Sequence, residues 1–323
     1  LDAISKYSED NLEIYSNLFK QNTNSNNTLI SGGEGLVETE DFSGGFSETT
    51  TASFGVDMYV GAEDGADSEA VAFGYQMGIG LETSFTGDDA LSATIDIGDG
   101  TSGALAFDDT TDVLTLDGLT YTFPVGGATV MVGDSTDISA VYTGACAYSS
   151  FTDYMGNCGT GSTVGIGGVT DGATAAMSYA FDSGFSLAGG VSSTTASILT
   201  GDSANSDLFG IEAAYTADSF GVSVAYSDAE GTTGWGINGM YAFDAVTISA
   251  GVESVDTGTT AEGFFVGLSF PEVGAGSFDI GMGTTGNFAD GDTEYYTYEA
   301  SYAYPLNDGM TITPGIYISC LLD

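Results

Sequence analysis

From about residue 47 onward, large apolar side chains alternate with small ones at a period of two. In 71–81, Val71, Phe73, Tyr75, Met77, Ile79 and Leu81 share one face, and Ala72, Gly74, Gln76, Gly78 and Gly80 share the other. The same pattern sets Phe220, Val222, Val224 and Tyr226 against Ser219, Gly221, Ser223 and Ala225. It also sets Tyr296, Tyr298, Tyr302 and Tyr304 against Thr297, Glu299, Ser301 and Ala303. Such alternation is the mark of a β-strand. The second face holds Gly, Ala, Ser, Thr and an occasional acid, whereas a soluble sandwich turns long charged side chains outward. Apolar side chains facing hydrocarbon and small polar ones facing enclosed water fit the pattern better. No window approaches the ~20 consecutive apolar residues of a membrane helix. A closed barrel is the other structure that pairs every backbone group in lipid.

The alternation extends through 52–60, 91–97, 207–216, 234–243, 245–253, 263–270, 277–283 and 310–318. Short breaks at 217–219, 243–245, 271–277 and 305–309 alternate with longer ones at 192–207 and 254–263, as in outer-membrane barrels. Phe85, Phe220, Phe243, Phe270 and Tyr304 lie near strand ends, where interfacial aromatic girdles form. Fifteen strands are clear and a sixteenth, at 163–169, is weak. The expected fold is all-β: a transmembrane antiparallel up-and-down β-barrel of about sixteen strands, a size that leaves an aqueous channel. Residues 1–20 lack Gly and Pro and space Ile4, Leu12, Tyr15 and Phe19 as a short amphipathic helix would. An Asn/Ser/Gly-rich linker follows, giving a helix-and-linker segment at 1–33 and a barrel domain at 34–323. Residue 1 is Leu with no leader-like segment behind it, which reads as a processed or partial chain.

Charge removes several functions. The 323 residues carry 46 acids against two bases, Lys6 and Lys20, for a net charge of −44, with no histidine. Nucleic acid is excluded as a partner, because phosphate binding needs Lys and Arg. A zinc site is not expected from three cysteines without a CxxC pair or a histidine. No GxSxG or P-loop is present, and no GxGxxG lies between a strand and a helix, so no enzyme is expected.

Three segments carry a family likeness. GLETSFTGDDALSATIDIG (80–98), LDGLTYTFPVG (116–126) and SYAYPLNDGMTITPGIYI (301–318) resemble, in order, hairpins of the cyanobacterial outer-membrane porins. The scarcity of basic residues points to the marine picocyanobacterial branch. The resemblance implies a carbohydrate-porin-like homotrimer in the bacterial outer membrane, passing small solutes and inorganic ions. Its partners would be outer-membrane lipid and lipopolysaccharide. Such porins usually begin with a surface-layer-homology domain that grips the cell wall. Residues 1–20 fit the tail of its connector, and no segment here matches the domain itself. The terminal ISCLLD departs from the aromatic ending common in barrels.

The alternation register turns Asp57, Gln76, Asp96, Glu212, Glu253, Asp279 and Glu299 toward the water-filled side. Rings of acids favour cations; the plainer reading is that they only hydrate the wall. Cys146 and Cys158 are spaced to pair in an oxidising compartment, leaving Cys320 over. Their loop lies in 133–172, where a segment folding back into the barrel would place Asp153, the only acid between the two cysteines, at a constriction. An ordinary exposed loop is the alternative. No cofactor is expected beyond diffuse Ca2+ or Mg2+ at acidic tips such as 61–69, 86–89, 108–112 and 287–294. A passive, cation-preferring diffusion channel is the leading reading. An acidic, calcium-associated surface or adhesive β protein is the alternative, and dependence on detergent separates the two.

Overall fold

The computed structural model describes residues 50–64, 71–99, 104–105, 107, 110–164, 172–194, 198–199, 207–229 and 231–321. The expected N-terminal helix and linker lie outside these residues. The described chain falls into two compact units. The first holds β1 (Thr50–Gly61), β2 (Ala72–Thr83), β3 (Ala90–Asp99) and the start of β4 (Thr115–Val125), as far as Tyr121. The second runs from Thr122 onward and includes 103–106. Its strands begin with β5 (Ala128–Thr136), β6 (Gly172–Ala180), β7 (Phe185–Ser193), β8 (Asp207–Thr216), β9 (Phe220–Ala229) and β10 (Thr232–Ala242). They continue with β11 (Thr247–Asp256), β12 (Thr260–Val273), β13 (Gly276–Thr284), β14 (Phe288–Ala289), β15 (Tyr295–Asn307), β16 (Met310–Ile312) and β17 (Gly315–Leu321).

Within each unit the strands run up and down in antiparallel ladders. β1 pairs with β2 and β2 with β3 in the first. In the second, consecutive ladders run from β5 to β13 and on through β15 to β17. The expectation was about sixteen strands; the described residues contain seventeen. The difference comes from short pieces: β14 has 2 residues and adds to β12, and β16 has 3 and adds to β15. The weak strand at 163–169 does not begin as a strand, because Gly161–Val164 is a helical turn; 165–171 lie outside the described residues. The long break expected at 254–263 is a hairpin, since β11 reaches Asp256 and β12 starts at Thr260.

Register fixes the two faces. In the first unit Phe54 opposes Ile79, Val56 opposes Met77 and Val60 opposes Phe73. All of these but the partly covered Met77 and Ile79 are exposed, Val60 at 71%. In the second unit, Ile211, Val224, Ile237, Val252, Ile280 and Ile316 take the equivalent face, with Ile316 exposed at 63%. Buried positions are instead largely Ser, Thr and acids on the opposite face. This inverts the pattern of a water-soluble domain and suits strands whose outer face meets lipid.

Aromatic rings collect at one end of the second unit. The pairs Tyr179–Phe181, Phe185–Tyr215, Tyr215–Phe220 and Tyr241–Phe243 have centroids 4.7, 4.7, 5.4 and 4.7 Å apart. Phe270–Phe278 and Tyr302–Tyr304 continue the row. All lie where β6, β8, β10, β12 and β15 turn back through short connections. A band of rings at one edge is how such strands meet a membrane interface.

Two of the three distinctive segments meet in the first unit. In TSFTGDDAL (83–91), the Asp89 carboxylate accepts from the backbone N–H groups of Phe85 and Thr86, 2.9 and 2.8 Å, and from Ser84 Oγ, 2.8 Å. Tyr121, from LTYTFPVG, donates its hydroxyl to the other oxygen at 2.6 Å. The bond from Tyr121 first, and then that from the Thr86 backbone, hold the Asp89 carboxyl well below the usual carboxylate range. A carboxyl depressed in the folded state stabilises the fold fully above its unfolded pKa, about 3.9, and loses that contribution as the pH falls through the folded value. Asp89→Asn is therefore expected to lower the urea midpoint of the detergent-solubilised protein at pH 7. The gap from wild type should close progressively below about pH 4. A gap that stays constant down to pH 2 would contradict this role.

Candidate functional site

The register places all seven sequence-predicted wall residues on the small-residue face of their own unit. In the first unit Asp57 opposes Gln76, and Gly78 opposes Asp96. Gln76 Nε2 donates to Asp57 Oδ2 at 3.3 Å; Asp57 is exposed and Asp96 is buried. Glu82 belongs to the same face, opposing Thr51 and Ser92, and is exposed. The sequence reading missed it, although its place one residue past Leu81 carries the same signal. In the second unit Glu212 opposes Ala225, Glu253 opposes Gly236, Asp279 opposes Ser269 and Ser301, and Glu299 opposes Gly281 and Tyr317.

In the second unit this face carries a loop. After β5 the chain leaves the sheet and crosses the small-residue faces of β8 to β17 before β6 begins at Gly172. Ile138, in the turn Ile138–Val141, packs into a buried cluster with Met131, Ala176 and Leu208. From there the loop is held by wall carboxylates. Glu212 accepts from the Thr143 and Gly144 N–H groups at 2.6 and 2.8 Å. Glu253 accepts from Thr163 N at 3.1 Å, from Thr163 Oγ1 at 3.3 Å, and from Asn287 Nδ2 at 2.7 Å. Glu299 Oε1 accepts from Tyr148 Oη and Phe151 N, at 3.0 and 2.8 Å. Its Oε2 accepts from Thr152 N and Thr152 Oγ1, at 2.8 and 2.5 Å. Glu212, Glu253 and Glu299 are thereby withdrawn from solvent, with 2, 5 and 2% exposure. Burial, then the charge of Glu299 and the hydrogen bond to it, push the Tyr148 phenol well above its usual range.

A neutral residue ties the two legs of the loop together. Asn238 Oδ1 accepts from Ala145 N at 3.0 Å and from Ser223 Oγ at 2.9 Å, while its Nδ2 donates to Thr160 Oγ1 at 3.0 Å. Beside it the Cys146–Cys158 disulfide forms, with Cα atoms 5.6 Å apart. Cys158 packs with Met155 against Phe265, and Tyr148 lies over the Phe265 ring at 4.8 Å between centroids. Cys320 is a free thiol on the opposite, apolar face, across from Tyr296.

The loop lies this close because the wall beneath it is glycine. A Cβ at Gly251 would collide with the Cys158 carbonyl oxygen, and one at Gly267 with the Tyr148 ring. At Gly281 it would lie 2.6 Å from Tyr148 Oη, at Gly236 3.2 Å from Thr163, and at Gly315 it would strike Phe151. The sequence reading took these glycines as a water-facing wall. Their second role is a flat seat, and nothing in the period-two pattern distinguishes the two.

Asp153 stands outside the buried set. It follows Thr152, opens the turn Asp153–Gly159, and is exposed. Its N–H donates to the Ala104 carbonyl at 2.9 Å. Among the described residues no group of three or more His, Cys, Asp or Glu is arranged to hold a metal ion.

A family model described as Gram-negative porin matches residues 19–316. Solved structures share the fold. A mutant of the Rh. blastica porin aligns with a TM-score of 0.51 and 17% identity, covering 83% of this chain and 92% of that one. The loop L8 deletion mutant of OmpT, an outer membrane protein of Vibrio cholerae, aligns with a TM-score of 0.56 and 12% identity, covering 84 and 94%. No curated protein sequence matches.

The glycine seat has a measurable consequence. Gly251→Ala is expected to destabilise the protein by about 1–3 kcal/mol, the range for overpacking a close contact, because the opposing Cys158 carbonyl is fixed by its disulfide. Gly286→Ala, with open space around the added carbon, should be near neutral. Urea titration followed by the fluorescence of Trp235, the single tryptophan, checks both. Equal effects of the two substitutions would count against the seat.

Proposed function

The chain belongs to the Gram-negative porin family and to the bacterial outer membrane, and we propose that it is a cation-preferring diffusion channel for small solutes and inorganic ions. The small-residue face is the water-filled side, and the loop over 137–164 narrows the passage. The exposed apolar face meets outer-membrane lipid and lipopolysaccharide. We propose a homotrimer of the cyanobacterial branch, on the likeness of the segments 80–98, 116–126 and 301–318 to that branch. On the same likeness, its solutes include sugars.

One observation carries the cation preference. Both basic residues, Lys6 and Lys20, precede the strands, so every fixed side-chain charge from residue 21 to 323 is negative. With three wall glutamates tied up by the loop, the acids that face water are those such as Asp57, Glu82 and Asp153. A permeating ion meets negative charge with no counter-charge on the wall, and such a pore favours cations. The exposed acids at the loop tips, such as Glu63, Asp64, Asp88 and Asp290, support a diffuse atmosphere of Ca2+ or Mg2+ rather than a ligated ion.

The protein reconstituted in a planar bilayer under a KCl gradient should give a reversal potential of the cation-selective sign. That preference should weaken as salt rises from 0.1 to 1 M, where the Debye length falls from about 10 to about 3 Å. An anion-selective sign would overturn the proposal.

A further inference from the structure

The sequence pattern presents Glu299 as one more wall charge. Its surroundings give it a different part. Both carboxylate oxygens are taken up by four donors, from Tyr148, Phe151 and Thr152. An ionised carboxylate accepts only, and four donors match its lone pairs. The group is 2% exposed, so an ion in water approaches the loop that covers it and not the carboxylate.

Three of the four donors belong to the two residues immediately before Asp153. Thr152 is fixed twice, through its backbone N–H at 2.8 Å and its hydroxyl at 2.5 Å. The next N–H, that of Asp153 itself, is bound to the Ala104 carbonyl. The chain is thus pinned at Thr152 and again at the Thr152–Asp153 peptide, and the exposed Asp153 side chain departs from a backbone with little freedom. Downstream, the turn Asp153–Gly159 ends at the disulfide and at the buried Met155–Cys158–Phe265 cluster.

We propose that Glu299 is a positioning residue for Asp153: it sets where the exposed loop carboxylate stands, and it influences ion preference only through that carboxylate. This rests on the channel reading above. Charge-assisted hydrogen bonds of this kind are the strong ones, and replacing the carboxylate with an amide leaves the same donors facing a weaker, mixed partner. The loop segment then shifts, and the Asp153 charge moves from its place.

The test is a double-mutant cycle on the reversal potential, using the full chain in planar bilayers under a KCl gradient at neutral pH. Wild type, Asp153→Asn, Glu299→Gln and the double variant are compared. Asp153→Asn should lower the cation-to-anion permeability ratio about twofold, the combined effect on cation and anion of one charge roughly 8 Å away in water screened by about 0.1 M salt. Glu299→Gln should lower it by a similar factor, and the double variant by no more than Asp153→Asn alone. If Glu299→Gln lowers the ratio equally in the Asp153→Asn background, its own charge faces the pore and the proposal fails. The proposal also fails if Glu299→Gln leaves the ratio at the wild-type value. If Glu299→Gln inserts no channels, Thr152→Val takes its place, since it removes one donor to Glu299 and no charge. The same dependence on Asp153 is then expected, and an unchanged ratio overturns the proposal. A wild-type protein that forms no channel, or an anion-selective one, would instead remove the channel reading on which the cycle stands.

Discussion

An amide hydrogen kept from bulk water needs an acceptor, and this requirement shapes the described chain at two scales. In the strands, neighbouring backbones supply it, as strands set against hydrocarbon require. In the loop over 137–164 no ladder is available. The N–H groups of Thr143, Gly144, Phe151, Thr152 and Thr163 turn to carboxylates that the wall presents, and those of Ala145 and Ala147 turn to Asn238 and Ser249. The loop therefore has an ordered backbone without a secondary structure of its own beyond short turns.

The same arrangement answers how so acidic a chain withdraws carboxylates from solvent. Buried acids are ordinarily matched by arginine or lysine, and from residue 21 onward there is neither. Glu212, Glu253 and Glu299 are matched by neutral donors, several to each. Several amide and hydroxyl dipoles converging on one carboxylate replace much of its lost hydration without adding positive charge. Loop and acids satisfy each other's polar groups, and the passage beside them is left with negative groups only.

Much of this was legible in the alternation. The faces assigned to Asp57, Gln76, Asp96, Glu212, Glu253, Asp279 and Glu299 are those that the strand registers show, because a period of two leaves no freedom once one apolar face is identified. The Cys146–Cys158 bridge followed from spacing and context. Local patterning did not reveal which of these acids touch the loop. Residues 143 and 212, or 152 and 299, are brought together by the course of the loop across eight or more strands, and no short-range signal encodes that. Boundaries were lost where strands outrun their apolar stretch, as at 254–263, where Ser254, Val255 and Asp256 pair although the stretch is polar and rich in turn-forming residues. Asn238 escaped notice because a lone amide among glycines looks like one more wetted position.

The glycine seat bears on how such a protein is inherited and rebuilt. The loop is encoded between β5 and β6, while the floor it rests on is encoded much later, across β10 to β17. Neither half makes sense without the other. A loop transplanted into a barrel whose floor carries alanine or serine at positions equivalent to 236, 251, 267, 281 and 315 would be lifted off its anchors. A floor transplanted without its loop would expose unpaired carboxylates. Hybrids between relatives should therefore keep the two together, and drift at these glycines should be tied to drift in a stretch of chain far upstream.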